Sequence, residues 1–468
     1  MSGFSSLNLA SRALSAQQRA LEVTGQNIAN VNTPGYTRQR VDMQSLASTS
    51  AYGLYAKEDG LGNGVSADKI SRIRDAFLDV RAQQEAGKAA QASVVASTYA
   101  GIETSFAEPG ASGLQTLMAT ASAAWSSLSS APTDTTRRNQ VLAASQAVAQ
   151  GLGTADAALG AQWDNALVNT QDVVTEANAS LRSIADLNAA IRKASINGQP
   201  ANELRDQRDQ LVRGLAESIG ATSVDGDEGM VDVVLGGTTL ISGTRASQLT
   251  LGGGSASATM GSSPVTLGVV DAGGVTIQPG GTVGGRLAAM NTLIPGFRAD
   301  LDRVANALAT GVNDALTAPG AAFDQNGDPG TPLFSGTTAG TITVAITDPR
   351  KLAAATAGKV GGVASADGKL ADAIALLAKD PAGAEGTYRS MITDLGVRSR
   401  TAAATVASAD AVSAQVETAR QSVSAVSLDE EMTNMLMFKQ SYAAAARVVT
   451  AIDEMLDVLI NRTGLVGR

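Results

Sequence analysis

The sequence LDEEMTNMLMFKQSYAAAARVVTAIDEMLDVL, residues 428–459, places a large residue at every seventh position over five heptads. The first series consists of Leu428, Met435, Tyr442, Val449 and Leu456. A second series follows three residues after four of these: Phe438, Ala445, Ile452 and Leu459. Apolar residues at positions a and d of a heptad favour a helix that pairs with another helix. This stretch therefore predicts a coiled-coil seam that needs a partner.

The N-terminal stretch repeats the same spacing and supplies that partner. Leu7, Leu14, Leu21 and Ile28 lie seven residues apart and predict a helix over residues 4–29. Two ends with matching periods and small side chains are expected to pack together and to complete their burial against neighbouring subunits. The residues expected to form this inner assembly interface are Leu7, Leu14, Leu21, Ile28, Met435, Phe438, Tyr442, Val449, Ile452 and Leu456.

A turn motif ends the first helix within QNIANVNTPGYTRQR, residues 26–40. Asparagines tolerate the conformations that end a helix, and Pro-Gly suits the central pair of a type II turn, where glycine supplies the positive φ. The chain is then expected to continue as an extended arm to Gln44. The residues of this turn motif are Asn30, Asn32, Pro34, Gly35 and Tyr36.

The composition argues against several classes of function. The 468 residues carry a formal net charge of −9, whereas nucleic-acid binding needs clustered Lys and Arg. The sequence has no cysteine and no histidine, so thiol chemistry, disulfides and the commonest general base and metal ligand are missing. We therefore expect no enzyme activity, no cofactor, no metal and no nucleic-acid partner.

The sequence also predicts no membrane partner and no conventional secretion. No window reaches the roughly 20 uninterrupted apolar residues that a transmembrane helix needs. The N-terminal residues lack the basic start, continuous apolar core and cleavage site of a secretory signal peptide.

The chain between the two ends is predicted to be mainly helical. Periodicity and breaker residues predict helices over residues 70–106, 114–128, 134–195, 201–220, 286–316, 368–377 and 386–460. A hairpin-like interruption is expected near residues 323–347. The fold class is mainly α with an inserted small all-β domain, in an elongated multidomain chain with a long helical bundle and terminal coiled-coil helices.

The inserted domain is predicted from a shift in composition at Ala221. From there to Gly285 the sequence is rich in Gly, Thr, Ser and Val, with short β-like runs between glycine pairs. We expect residues 221–285 to form one outer β domain. Residues 1–60 with 426–468 are expected to form the inner coiled-coil domain, and residues 61–220 with 286–425 the helical bundle.

Three charged clusters are interpreted as structural features without a ligand. In NELRDQRDQL, residues 202–211, a solvated face with pairs such as Arg205 with Asp209 is favoured, and contacts to a neighbouring subunit are the alternative. The acids of residues 225–228 are interpreted as solvated. The sequence DQNGDPG, residues 324–330, resembles a calcium loop, but Pro329 replaces its glycine, so a simple turn is favoured.

The motif NIANVNTPGYTRQR, residues 27–40, resembles the N-terminal signature of bacterial flagellar rod, hook and hook-associated proteins. Its GYTRQ form, the sequence of residues 427–468 and the blocks GNGVSADKISRIRDAFL, PTDTTRRNQVL and NELRDQRDQL are similar to the hook-associated protein 1 family. The resemblance therefore covers both ends and the helical region. An inserted segment of about 65 residues is shorter than the outer part of many family members.

The resemblance implies a structural adaptor at the hook–filament junction. It implies a ring-like assembly of this chain on the distal end of the hook, with hook protein below and hook-associated protein 3 above. It further implies export through the flagellar secretion apparatus, with a cytoplasmic chaperone on the C-terminal helix, and a final extracellular location. The alternative is another flagellar axial protein, from the hook or the rod.

Overall fold

The computed structural model describes residues 3–46, 62–110, 113–360 and 362–458. Over these residues the α-helices are α1 Gly3–Ala29, α2 Ala76–Phe106, α3 Leu114–Ser130, α4 Thr135–Ile196, α5 Asn202–Ile219, α6 Gly281–Ala288, α7 Ile294–Leu316, α8 Lys369–Leu376, α9 Ala384–Ser424 and α10 Leu428–Asp457. The mainly α, elongated fold class is confirmed. The predicted boundaries at residues 60, 460 and 468 lie outside the described residues.

The strands are short and all antiparallel. They are β1 Gln39–Ser45, β2 Val65–Arg72, β3 Thr222–Asp225, β4 Val231–Leu235, β5 Thr238–Ser242, β6 Arg245–Ala246, β7 Leu249–Gly252, β8 Thr266–Val269, β9 Val275–Ile277, β10 Phe334–Ser335, β11 Thr343–Val344, β12 Lys359–Val360 and β13 Val363–Ala364. They form three two-stranded pairs, β1-β2, β10-β11 and β12-β13, and two larger sheets in the orders β3-β4-β5-β6 and β7-β8-β9.

Helix α4 is the longest element and organises the helical region. Its 62 residues span about 93 Å at 1.5 Å per residue. Asp134 caps its first turn by accepting from the Thr136 N–H at 2.8 Å. One face of the helix carries Trp163, which is fully buried and donates from Nε1 to the Met290 carbonyl at 2.9 Å. The predicted helix over residues 134–195 is therefore present almost residue for residue.

The predicted helix over residues 70–106 is wrong at its start. Ile70 lies in β2, paired with Val41 of β1, and α2 begins only at Ala76. Asp75 sets this boundary, because its side chain accepts from two N–H groups of the first turn, at 2.9 and 3.2 Å. The strand forms because β1 supplies its hydrogen-bond partners, and local periodicity cannot detect a pairing between segments that are not adjacent in the sequence.

The β segment packs against the helices. Its two sheets cover one side of α4 and α5, and their apolar residues share a single core with Leu181, Ile184 and Leu215 of those helices. Gly220 ends α5 with φ +77°, and a Cβ there would lie 2.6 Å from the Gly280 Cα, so glycine is required where the β segment leaves and returns. The division into three domains stays a prediction.

A second, larger core joins α2, α3, α4, α7, α8 and α9. Strands β10 and β11 lie within the predicted interruption at 323–347 and pack on α4 and α7. The DQNGDPG stretch forms a turn in which the Asp324 carboxylate accepts from the N–H groups of Asn326 and Asp328, at 2.8 and 2.9 Å. The carboxylate is therefore used by its own loop, as an Asx-type turn requires.

Candidate assembly interface

Helices α1 and α10 pack against each other, so one chain brings the two predicted heptad stripes together. On α1, the residues Leu7, Leu14, Leu21 and Ile28 are half-buried, and the buried apolar positions are small or medium residues: Ala10, Ala16, Ala20 and Val23. The hairpin β1-β2 covers another side of α1. These four residues, called the leucine stripe below, therefore keep part of their surface exposed to solvent.

On α10 the predicted seam follows the side that faces α1. Ile452 is buried, and Phe438, Tyr442, Val449 and Leu456 are half-buried. Met435 is 36 % exposed at the N-terminal part of the helix. Participation of these residues in contacts between subunits stays a prediction.

A second apolar set on α10 lies outside this seam and is open to solvent. Leu436 is 62 % exposed, Met455 58 % and Met432 56 %. The remaining members of the set are Met437, Val448 and Val458. The heptad pattern does not predict these residues, because it selects only one stripe of the helix. The sequence feature that indicates them is that the helix has more methionine and leucine than one seam needs. Large exposed apolar surface on a helix marks an interaction site.

The turn after α1 has the geometry of a type II turn. The Tyr36 N–H donates to the Thr33 carbonyl at 3.2 Å, and Gly35, at the third position, has φ +82°. Asn30 stabilises the helix end, since its side-chain amide donates to the Gln26 carbonyl at 3.0 Å. The other two residues of the predicted motif, Asn32 and Pro34, are exposed.

A buried asparagine that the sequence analysis did not single out connects this turn to both helices. The Asn27 amide donates to the Gln39 carbonyl at 2.8 Å and to Glu431 Oε2 at 3.1 Å. Its carbonyl oxygen accepts from the Tyr36 hydroxyl at 2.8 Å and from the Gln39 N–H at 3.0 Å. Burial, followed by three nearby carboxylates, raises the pKa of Tyr36, so the phenol stays protonated as a donor.

The extended arm after the turn holds the junction between α9 and α10. Arg38 donates from Nε to Glu431 at 2.7 Å and from Nη1 to Glu430 at 2.6 Å. Its backbone N–H donates to the Ser424 carbonyl at 2.9 Å. Glu431 is only 2 % exposed, so this is a buried charge that the arm neutralises. The arm thereby fixes where α10 departs from α9.

The interpretation of residues 202–211 as a solvated face is wrong. Arg72 of β2 donates to Asp206 at 2.8 Å and to Asp209 at 2.7 Å, and Arg208 pairs with Asp209 at 3.0 Å. Both arginine side chains are almost fully buried. Among the described residues, Asp209 does not form the expected pair with Arg205. Helical spacing gave a wrong prediction because the partner of these aspartates, Arg72, lies in a strand about 130 residues earlier in the sequence.

This buried charge network joins the arm to α5. The Thr37 N–H donates to Asp206 at 3.2 Å. Burial by itself raises the pKa of Asp209, but Arg72 and Arg208 together outweigh it and hold the pKa below its usual value. A carboxylate with a lowered pKa stabilises the fold above its unfolded pKa of about 3.9, and this contribution is lost as the pH falls further.

The acids of the β3-β4 connection are exposed but two of them are paired, so their interpretation as solvated is only partly correct. Asp225 binds Arg74 at 2.7 Å, and Glu228 binds Arg192 at 2.6 Å. Asp227 is exposed. Across the described ranges, no group of three or more potential metal-ligating side chains is close enough to hold an ion. Nor does that part of the chain contain a helix long and apolar enough to cross a membrane.

Three family models match this chain. The model described as "Flagellar hook-associated protein FlgK helical domain" matches residues 99–334, which include the β segment. The "Flagella basal body rod protein" model matches residues 7–37, and the "Flagellar basal body rod FlgEFG protein C-terminal" model matches residues 419–462. The two terminal matches thus coincide with α1 and its turn and with α10.

Curated relatives match along the whole chain. "Flagellar hook-associated protein 1" of Bacillus subtilis is 30 % identical, with 100 % of both chains covered. The protein of the same name from Escherichia coli is 26 % identical, with 97 % of this chain and 99 % of the relative covered. The solved flagellar hook junction protein FlgK from Burkholderia pseudomallei has the same fold, with a TM-score of 0.62 at 16 % identity, covering 75 % of this chain and 100 % of that one.

Proposed function

The chain belongs to the flagellar hook-associated protein 1 family and is a structural component of the bacterial flagellum at the hook–filament junction, and from this premise we propose how it assembles there. Copies of the chain form a ring on the distal end of the hook, with α1 and α10 in the inner layer. The filament attaches to this ring.

The paired terminal helices carry this proposal. Their pairing leaves the leucine stripe of α1 half-buried and the second apolar set of α10 open to solvent. Burying an exposed Leu or Met side chain contributes about 1.5–3 kcal/mol, so a few contacts per subunit suffice for a stable ring. The buried bonds of Asn27 and Arg38 hold the pair at a fixed angle to α9, which a repeating assembly requires.

Electron microscopy of cells that lack the gene, combined with an assay for flagellin in the medium, tests the proposal. Bare hooks with shed flagellin are the expected result, and a copy of the unmodified gene restores filaments. Absent hooks would assign the chain to the hook or the rod instead. Normal filaments would contradict any junction role.

The proposed partners follow from the position in the flagellum. Hook protein lies below the ring and hook-associated protein 3 above it. Isolated hooks are expected to bind the purified chain at one end and to retain hook-associated protein 3 only after that step. Retention of hook-associated protein 3 by hooks without the chain would contradict this order.

We further propose that the chain is exported unfolded through the flagellar secretion apparatus, with no cleaved signal, and that a cytoplasmic chaperone covers α10 beforehand. The exposed apolar set of α10 supports this, because such a surface promotes aggregation before assembly. A chain truncated before Leu428 is expected to lose chaperone binding in a pull-down. Undiminished binding would place the chaperone elsewhere.

The family is a structural one, and we propose that the chain performs no enzymatic chemistry and uses no cofactor. The buried charged side chains around α5 pair with one another in the manner of a structural network.

A further inference from the structure

A pocket between β2, α5 and the β3-β4 connection concentrates positive charge. Its volume is about 360 Å³. Five basic residues and one acidic residue contribute to its lining: Lys69, Arg72, Arg74, Arg205, Arg208 and Asp225. In a chain with a net charge of −9, this is an unusual local excess of cations.

Three of the five basic side chains are paired, whereas the exposed Lys69 and the partly buried Arg205 form no ion pair among the described residues. Arg72 and Arg208 bind the buried aspartates of α5, and Arg74 binds Asp225. Within the described part of the chain, no hydrogen bond or ion pair reaches the side chain of Arg205. Its Nε is buried without a partner, and so is the Oγ of Ser71, another lining residue. A guanidinium has five N–H donors, and unpaired buried donors are costly.

The backbone around the pocket fixes Arg205 in this position. Gly229 has φ +79°, and a Cβ there would lie 2.5 Å from Nη2 of Arg205, so the guanidinium rests against a residue without a side chain. Burial first, and then the charges of Arg72, Arg208 and Arg74, lower the pKa of Arg205. The charge of Asp209 offsets this lowering only in part, and among the described residues no carboxylate forms an ion pair with Arg205.

We propose that this pocket, named here the Arg205 pocket, binds an oxyanion. Guanidinium groups pair best with planar or tetrahedral oxyanions, that is, carboxylate, phosphate or sulfate. Such a ligand has two possible sources: a free inorganic ion, or an exposed Asp or Glu of a second copy of the chain, whose sequence has 44 Asp and Glu residues in total. The second source rests on the proposed assembly, whereas the site itself does not.

Calorimetric titration and thermal unfolding with sodium phosphate test the site, using the full chain with ionic strength held constant by sodium chloride. Phosphate is expected to bind the unmodified chain and to raise its melting temperature relative to chloride. Arg205→Gln is expected to weaken phosphate binding by about tenfold, or ~1.4 kcal/mol. It should fold normally in chloride, because Arg205 has no partner to lose.

Arg245→Gln is the matched control, since Arg245 is exposed and lies outside the pocket. It is expected to bind phosphate like the unmodified chain. An equal phosphate response in all three proteins, or no response in the unmodified chain, would overturn the site. Phosphate binding to the pocket does not require assembly, so a negative titration is distinct from a failure of the proposed assembly.

Sedimentation of the self-associating chain separates the two sources. If a carboxylate of a second copy occupies the pocket, phosphate weakens self-association of the unmodified chain and leaves that of Arg205→Gln unchanged. If phosphate binds but self-association stays the same, the ligand is a free ion.

Discussion

Replacing Asn27 with alanine removes the buried amide that connects the turn, the arm and α10. The side chain is 1 % exposed and makes four hydrogen bonds of 2.8–3.1 Å. Each such bond contributes about 1 kcal/mol net, so their loss destabilises the packing of the terminal elements by about 4 kcal/mol. At 1.4 kcal/mol per factor of ten, local opening becomes about a thousandfold more frequent.

Hydrogen–deuterium exchange read by mass spectrometry measures this effect. In Asn27→Ala, amides of residues 36–45 and 428–440 are expected to exchange faster, by up to about a thousandfold, while those of α4 keep their rates. Asn32→Ala is the matched control, because it removes an exposed amide from the same motif. Equal protection in the two variants would refute the role of Asn27. A loss of protection that extends through α4 would show global unfolding in place of local opening.

Three further perturbations test the assembly seam, the phenol and the charge network. Val449→Lys is expected to abolish assembly, which is measured by motility and by the presence of the chain at the junction. Asp227→Lys, at an exposed site, should assemble normally. Motile cells with both variants would show that Val449 is not part of the interface. Tyr36 has a raised pKa, so its contribution is complete below the unfolded pKa of about 10 and is lost above it. Denaturant titrations should therefore show the unmodified chain losing stability above pH 10 relative to Tyr36→Phe, by at most about 1.4 kcal/mol per pH unit because the phenol is only half-buried, and parallel losses would contradict this. Asp209→Asn removes the carboxylate that the buried Arg72 and Arg208 share, and it should lower the free energy of unfolding in urea by about 3–5 kcal/mol. Glu228→Gln, at an exposed ion pair, should lower it by less than about 1 kcal/mol. Similar losses in the two variants would refute the network.

Local patterns predicted the long helices well. The helix α4 starts behind a capping aspartate and ends before Gly198, and both signals are visible in the sequence. The runs of β-branched residues between glycines likewise coincide with β4, β5, β7, β8 and β9. The predictions were poorest where a partner lies far away in the chain. Periodicity predicts Ile70 in a helix, because the strand that pairs with it, β1, lies in an earlier part of the sequence and ends at Ser45.

The sequence likewise predicted some features of the candidate interface and missed others. Heptad spacing identified both terminal stripes, because the pattern repeats along the chain, and the Asn and Pro-Gly residues identified the turn between helix and arm. It did not identify the exposed apolar set of α10, since exposure depends on which side α1 covers. Heptad spacing also missed Asn27, Arg38 and Glu431. These residues matter because Asn27 and Arg38 both donate hydrogen bonds to the buried Glu431, and that contact exists only in the folded chain.

The sequence by itself determined the family, the mainly α fold and the pairing of the chain ends, because each rests on motifs or on periods of a few residues. Only the tertiary structure decided the state of the charges. Burial and neighbours joined Arg72, Asp206 and Asp209 in one charge network and left Arg205 without an ion pair among the described residues. A charge responds to the dielectric and to the groups that surround it in space, and a linear sequence does not specify either.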